Sequence, residues 1–330
     1  MSRKTRTLVL GATGHLGQAV VRDLLARGQR VTAASRQLEP RALADLGARI
    51  VRGDADADGQ LDDWMSGHDV VIDAAAPSPL SLFVRSGSEP EDLLAHARRR
   101  TTALLDAVAR HGVQLAFIST FTTLPRPAGF VAQMESRWRR SVYPYFRVKQ
   151  LMEDMVLGAA RNGVPAVVLN PAAFLGPWQH GAERSSLVRM VLERTLPAAM
   201  HHVINVIDVR DVASGVHAAL AAQRYGVQLP LVGHNVAMDD LVRRIGDIAN
   251  VRAQVIGVDT RATVVAAFWL EATLAMTGRA APDAWRAAPL IADAWPMQES
   301  AEQRALGVRI RPLDETLRDA IAWHLDHPHS

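Results

Sequence analysis

Tyr145 and Lys149 stand four residues apart in the stretch SVYPYFRVK (141–149). If a helix begins near Tyr145, the two side chains share one face, a turn apart. A free phenol has a pKa of about 10 and is a poor acid–base group near neutrality. An ammonium within a few ångströms favours the phenolate and lowers that pKa. Tyr143 has Arg147 at the same spacing, but Pro144 separates it from the helix body. A half-exposed helix face offers tyrosine–lysine pairs without any chemistry, so the pair needs a second feature to mean more.

That feature is LVLGATGHLGQAV near the amino end, where Gly11, Gly14 and Gly17 lie between an apolar run and a helical pattern. Gly11 permits a tight turn, Gly14 a close approach of a diphosphate, and Gly17 close packing of helix on sheet. Thr13 and the backbone amides of His15 and Leu16 would then face phosphates at the positive end of the helix. The end of the second apolar run, VTAASRQ, has Ala34 where an NAD site wants a carboxylate for the ribose hydroxyls. Ser35 and Arg36 follow, a hydroxyl and a guanidinium suited to a 2′-phosphate, so NADP(H) is expected ahead of NAD(H). In GDADAD (53–58), Asp54 is expected to accept from the adenine amino group and Ala55 to pack on the ring. Asp56 and Asp58 are expected in solvent. Ala74, Ala75 and Ala76 are small enough for the dinucleotide to lie against the backbone.

These residues need a frame. TRTLVLG, RVTAAS, RIVRGD, DVVIDAAA, VQLAFIST and VPAVVLNP read as strands alternating with helical patterns, among them EDLLAHARRRTTALLDAVARHG and a helix over about 145–162. Such alternation predicts an α/β fold, a Rossmann-type doubly wound parallel sheet, with a smaller and mostly helical C-terminal lobe. The division expected is a dinucleotide-binding domain from 1–175 and 203–232, a substrate lobe from 176–202 and 233–311, and a C-terminal helix over 312–330. HHVINVIDV reads as a strand, with Asp211 capping the following helix.

Composition narrows the field. The chain has 330 residues, of which 48% are hydrophobic and 22% charged, as a folded globular protein requires. A net charge of only +3 gives no nucleic-acid footprint. With no cysteine, thiolate catalysis and disulfides are excluded. The twelve histidines show no metal-ligand spacing, and adjacent His201 and His202 would point to opposite faces of a strand, so no metal is expected. The longest greasy stretch, 262–276, is broken by Glu271 and too short to span a bilayer. The amino end lacks the pattern of a signal peptide, which makes a cytoplasmic location the expectation.

GATGHLG (11–17), YFRVK (145–149), LNPAAFLGP (169–177), VIDVRDVASGVHAAL (206–220) and the closing ESAEQRALGVRIRPLDETLRDAIAWH together resemble the extended short-chain dehydrogenase/reductase superfamily, the NAD-dependent epimerase/dehydratase group. The chain is most similar to its dihydroflavonol-reductase-like and hopanoid-associated epimerase-like members. The resemblance implies a hydroxyl–tyrosine–lysine triad. Tyr145 would move the proton, and Lys149 would bind the nicotinamide ribose while tuning Tyr145. The hydroxyl is where this chain departs from the pattern. In FISTFTT (117–123) a one-residue gap puts Ser119 and Thr120 on the two family positions, with Thr120 catalytic; without the gap Thr122 would have to substitute. The asparagine that family members often carry in the long helix is missing. Arg98, Arg99 and Arg100 stand in that stretch and are expected on a solvated face. The resemblance further implies that Pro171 and Phe174 hold the carboxamide, and that helices 89–111 and 145–162 pair between copies in a homodimer.

The substrate side is expected around Thr122, Trp178–Arg189, His201–His202 and the helices after Val236, with PSPLSLF as a further wall; RWRR (137–140) is expected on a solvated face, near enough to the site to meet an anionic substrate. HHVIN stands where nucleotide-sugar members carry an arginine, which favours an apolar ketone, aldehyde or alcohol as substrate. Two further readings stay open: epimerisation or dehydration of a sugar-like compound, and a dinucleotide-binding regulatory protein without catalysis.

Overall fold

The computed structural model describes residues 4–36, 41–75, 90–126, 143–179, 186–196, 199–252, 257–277 and 288–327, together with 134, 137 and 138. Its first half alternates strand and helix: β1 (Arg6–Leu10), α1 (His15–Ala26), β2 (Arg30–Ser35), α2 (Arg41–Ala44), β3 (Arg49–Arg52), α3 (Gln60–Met65) and β4 (Val70–Asp73). Then come α4 (Pro90–His111), β5 (Gln114–Ile118), a single 3-10 turn (Phe121–Thr123), α5 (Pro144–Arg161) and β6 (Ala166–Pro171).

Seven strands form one sheet in the order β10-β6-β5-β4-β1-β2-β3, where β10 is Gln228–Leu231. Every pairing in it is parallel. This is the doubly wound sheet the alternation predicts. Because side chains alternate across a strand, each strand feeds two cores. Val9, Ile72, Ala116 and Leu169 pack on one face with Leu16, Val20 and Leu24 of α1. Leu8, Leu10, Val71, Leu115 and Phe117 pack on the other with α4 and α5. Both faces are covered, which is why these strands read as unbroken apolar runs.

The order reverses between β1 and β4. Next-door strands whose connections leave in opposite directions open a crevice at their carboxyl ends. The turn after β1 and the residues after β4 meet there.

A smaller sheet follows, in the order β11-β9-β7, made of β7 (Ala173–Leu175), β9 (Val203–Asp208) and β11 (His234–Ala237). Between β7 and β9 lie α6 (Leu187–Leu192) and β8 (Ala199–Met200). α7 (Val209–Ala221) precedes β10. Beyond β11 the chain continues with α8 (Met238–Ala249), β12 (Gly257–Val258), α9 (Thr260–Ala275), α10 (Ala288–Ala292), α11 (Ala301–Ala305) and α12 (Leu313–Asp326).

Two local expectations are corrected. His201 and His202 precede β9 rather than lying in it, so strand alternation does not set their directions. Asp208, not Asp211, caps α7, its Oδ1 accepting from the Arg210 amide at 2.8 Å. Asp211 sits inside the first turn, where its carboxylate accepts from the Arg311 amide at 2.7 Å. Among the described residues no helix is long and apolar enough to cross a membrane.

Candidate active site

The glycine turn is built on close approaches. Gly11 has φ +71°, and a Cβ there would stand 2.6 Å from the Ala74 carbonyl oxygen. A Cβ on Gly17 would stand 2.0 Å from the Gly11 carbonyl oxygen. Any side chain at either position would push the turn off β4 or α1 off the turn. Gly14 is different: it is exposed, and a Cβ there would meet only the Gly11 oxygen, at 3.3 Å. It is the open floor of the turn.

A cavity of about 430 Å³ begins at this turn and runs to the ends of β2, β3 and β4. Gly11, Thr13, Gly14, Ser35, Arg36, Asp54, Ala55, Ala74 and Ala75 all line it. Leu16 and Gly17 are buried under the turn. His15 turns its ring away, with Nε2 3.0 Å from the Pro177 carbonyl oxygen and the ring centroid 5.5 Å from that of Phe174. Burial drives its pKa down to about 4. Arg36 is exposed at the cavity rim and has no ion-pair partner among the described residues. Asp54 Oδ1 accepts from the Asp56 amide at 3.1 Å. Ala76 and the loop PSPLSLF fall outside the described residues, as do Arg139 and Arg140 of RWRR.

At the carboxyl end of β5, Thr120 leaves the strand in an extended conformation and caps the 3-10 turn. Its side chain lies close enough to the Tyr145 phenol to pull that group's pKa down. Thr122 Oγ1 lies 3.4 Å from Thr120 Oγ1, one step behind. The Ser119 hydroxyl is buried and makes no hydrogen bond among the described residues. Of the three hydroxyls, the structure sets Thr120 against Tyr145.

Tyr145 and Lys149 lie on the buried face of α5, which starts at Pro144, a residue suited to the first helical position. Burial pushes Tyr145 up to about 12, against the pull of the Thr120 side chain. Desolvation, which disfavours the phenolate, sets the direction of the shift here. Lys149 is pushed the other way, to about 8, by burial and by the Arg100 guanidinium, while Asp73 and Glu153 raise it.

Those three neighbours are what sequence reading missed. Arg100 is 7% exposed and grips Asp73 through two bonds of 2.8 Å. It was expected in solvent with Arg98 and Arg99, and only those two are exposed. Its phase gives it away: Leu93, Ala97, Arg100, Thr101 and Leu104 form one buried helical stripe. Asp73 is fully buried at the end of β4, and Arg100 holds its pKa below the usual carboxylate range against the cost of burial. Asp56, expected in solvent, approaches Arg100 Nε at 3.3 Å.

Glu153 comes one turn after Lys149 and is fully buried. Its carboxylate accepts from Thr123 Oγ1 at 2.7 Å, from Asn170 Nδ2 at 2.8 Å and from the Gln228 amide. Thr123 Oγ1 and Asn170 Nδ2 both also reach the Thr120 carbonyl oxygen, at 2.8 and 3.1 Å. The network ties the backbone of Thr120 to the helix that carries Tyr145.

Pro171 ends β6, in register with Leu231 of β10. Trp178 is not brought to Tyr145. Its indole lies under the Arg22 guanidinium of α1, 4.7 Å away. His202 Nε2 lies 2.7 Å from the Ala294 carbonyl oxygen. The next residue, Trp295, meets Phe121 edge-on at 5.8 Å, and Leu290 packs on the cluster of Tyr143, Tyr145 and Phe146. The segment around 290–295 therefore walls the tyrosine side of the site with apolar surface.

A doubly wound sheet, a crevice at its switch point and a buried tyrosine–lysine helix define a dinucleotide-binding fold with an acid–base group at one end. The model of the NAD dependent epimerase/dehydratase family matches residues 7–230, and the chain belongs to that family. It is an NAD(P)-dependent oxidoreductase of the extended short-chain dehydrogenase/reductase type. A protein of Synechocystis sp. named as a dihydroflavonol 4-reductase is 26% identical over 331 residues, covering 97% of this chain and 94% of its own. The sterol demethylase protein B of Methylococcus capsulatus is 34% identical over 196 residues, 57% of this chain and 56% of that one. The crystal structure of gox2253 superposes with a TM-score of 0.76 at 26% identity, over 98% of this chain and 99% of that one.

Proposed function

We propose that the protein reduces a ketone or aldehyde of a small, apolar substrate with NADPH, with Tyr145 as proton donor, Thr120 as the orienting hydroxyl and Lys149 as the ribose-binding cation. The observation that carries this reading is the buried face of α5, which brings Tyr145 and Lys149 together beside the Thr120 side chain at the end of β5.

The residues present fit a dinucleotide. The turn has no room for side chains at Gly11 and Gly17, the cavity leads from it to Arg36, and the orphaned Ser119 hydroxyl wants a partner. Gly14 and Thr13 would hold the diphosphate, Asp54 and Ala55 the adenine, Ser35 and Arg36 a 2′-phosphate, and Pro171 and Phe174 the carboxamide side. When bound, the nicotinamide supplies the reducing equivalent.

The protein's own part is proton transfer and orientation. A phenol held at about 12 is protonated at every working pH and is set to donate to an oxygen that gains charge. The same group, as phenolate, would take the proton back when the alcohol is oxidised. Thr120, beside the phenol, can donate to the same oxygen. Lys149 near 8 keeps an ammonium at neutral pH, close to where the phenolate forms. Leu290, Phe121 and Trp295 offer the substrate apolar contacts. Relatives named for a dihydroflavonol and for a sterol agree with such a substrate.

The test is a fluorescence titration of the purified protein with NADPH and NADH, followed by a screen of carbonyl compounds. Tighter binding of NADPH that Arg36→Ala abolishes supports the reading. A protein that retains NAD and returns a product of unchanged redox state would instead be an epimerase or dehydratase. Binding of neither dinucleotide would leave a regulatory protein.

A further inference from the structure

A second cavity, of about 460 Å³, is lined by α1, α7, Trp178 and the segment leading into α12. Five arginines line it: Arg22, Arg27, Arg210, Arg309 and Arg311. Three are spoken for. Arg27 binds both oxygens of Asp23 at 2.7 and 3.0 Å and reaches Ser214 Oγ at 3.0 Å. Arg210 is clamped by Asp208 and Asp319, and Arg311 by Asp211 and Glu315. Arg22 and Arg309 have no carboxylate partner among the described residues.

Arg22 is the unusual one. Its guanidinium carbon lies 4.7 Å from the Trp178 ring, and its Nε is buried without a hydrogen-bond partner. The closed-off Nε cannot reach a ligand itself, so the part of Arg22 that lines the cavity is its terminal N–H groups, which have no carboxylate among the described residues. Trp178 has φ +72°, a backbone conformation that a bulky residue adopts only at a cost. That cost is borne at the point where the indole fixes the plane of Arg22. Stacking holds a guanidinium fork rigid, and a rigid fork suits a phosphate. One indole face is taken by Arg22, so a base or other flat ring is not the natural occupant.

We propose that this cavity binds a small phosphate dianion, inorganic phosphate or a phosphomonoester, between the guanidinium groups of Arg22 and Arg309. Ser214 adds a hydroxyl donor at the wall. The two unpaired cations match the two charges of the ligand. The proposal is independent of the reaction assigned above, because the cavity shares no lining residue with the dinucleotide groove.

The groove itself would attract phosphate, so the test is made with it filled. Inorganic phosphate and, separately, glycerol 3-phosphate are titrated calorimetrically into the full chain holding saturating NADPH or NADH, against potassium chloride of equal ionic strength. The expected result is saturable binding of one or both, weakened about tenfold or more by Arg22→Ala and by Arg309→Ala. Arg22→Lys should fail to restore it, since lysine keeps the charge and loses the fork. Arg309 is exposed, so its variant tests the site even if Arg22→Ala impairs folding. Saturation by one ligand alone identifies the source. Heats no larger than those of chloride, or binding unchanged in Arg309→Ala and Arg22→Lys, overturn the proposal.

Discussion

Removing the Arg100 guanidinium perturbs two things at once, and their signs differ. In Arg100→Met the bidentate bonds to Asp73 are lost, and among the described residues a fully buried carboxylate keeps only the Ala75 amide, at 3.1 Å, as a hydrogen-bond donor. Breaking a buried ion pair from one side typically costs about 3–5 kcal/mol. With about 2.1 cal/mol/K per residue over 330 residues, the unfolding entropy is about 0.7 kcal/mol/K, so the midpoint should fall by about 4–7 °C. Replacing both partners, as in Asp73→Leu with Arg100→Met, removes the stranded charge and should return much of that loss. The second effect is on Lys149. Arg100 is a like charge that depresses it and Asp73 an opposite charge that raises it. Arg100→Met should therefore let Lys149 keep its proton above pH 8, moving the alkaline limb of kcat/KM upward, while Asp73→Leu should move it downward. Differential scanning calorimetry and a pH–rate profile read the two effects separately. A double variant as unstable as the sum of its singles would refute the pair as a coupled unit. An alkaline limb that stays put in both would refute the electrostatic account of Lys149.

The hydroxyl assignment separates cleanly by variant: Thr120→Val should lower kcat by about 100-fold, as loss of a donor to a charged oxygen does, while Thr122→Val leaves it within about threefold. Equal losses in both variants would mean that the two threonines act as one cluster. Acid stability should show the buried histidines. Burial holds both His15 and His324 near 4, so in the folded protein they stay neutral while the unfolded chain takes up protons below about 6.5. Folded pKa values below unfolded ones mean that stability is lost as pH falls from about 6.5 through 4. His324→Gln should remove on the order of 2 kcal/mol of that loss, read as the difference between urea midpoints at pH 7 and pH 4.5.

What sequence could show here follows from how far its signals reach along the chain. Strands buried on both faces write themselves as apolar runs, so the doubly wound sheet was legible from β1 to β6. The glycine turn was legible where its constraint is local: the oxygen that forbids a Cβ at Gly17 is that of Gly11, in the turn itself, whereas Gly11 is closed off by the distant Ala74 carbonyl. Tyr145 and Lys149 share a helix, and the same spacing continued by one turn reaches Glu153, a signal that was there to be read. Buried charge is the harder case. Asp73 hides inside DVVIDAAA because a paired carboxylate sits in an apolar run without breaking it, and its partner is 27 residues away. Arg100 is legible by phase, as the one cation on a buried stripe, although a run of three arginines points to solvent. The sign of the Tyr145 shift was beyond any spacing rule. A four-residue separation puts an ammonium near the phenol, yet burial decides the outcome, and burial depends on Leu290, far along the chain, packing against that cluster. Local patterns thus name the groups that could react. Their protonation states are set by whatever the fold lays over them.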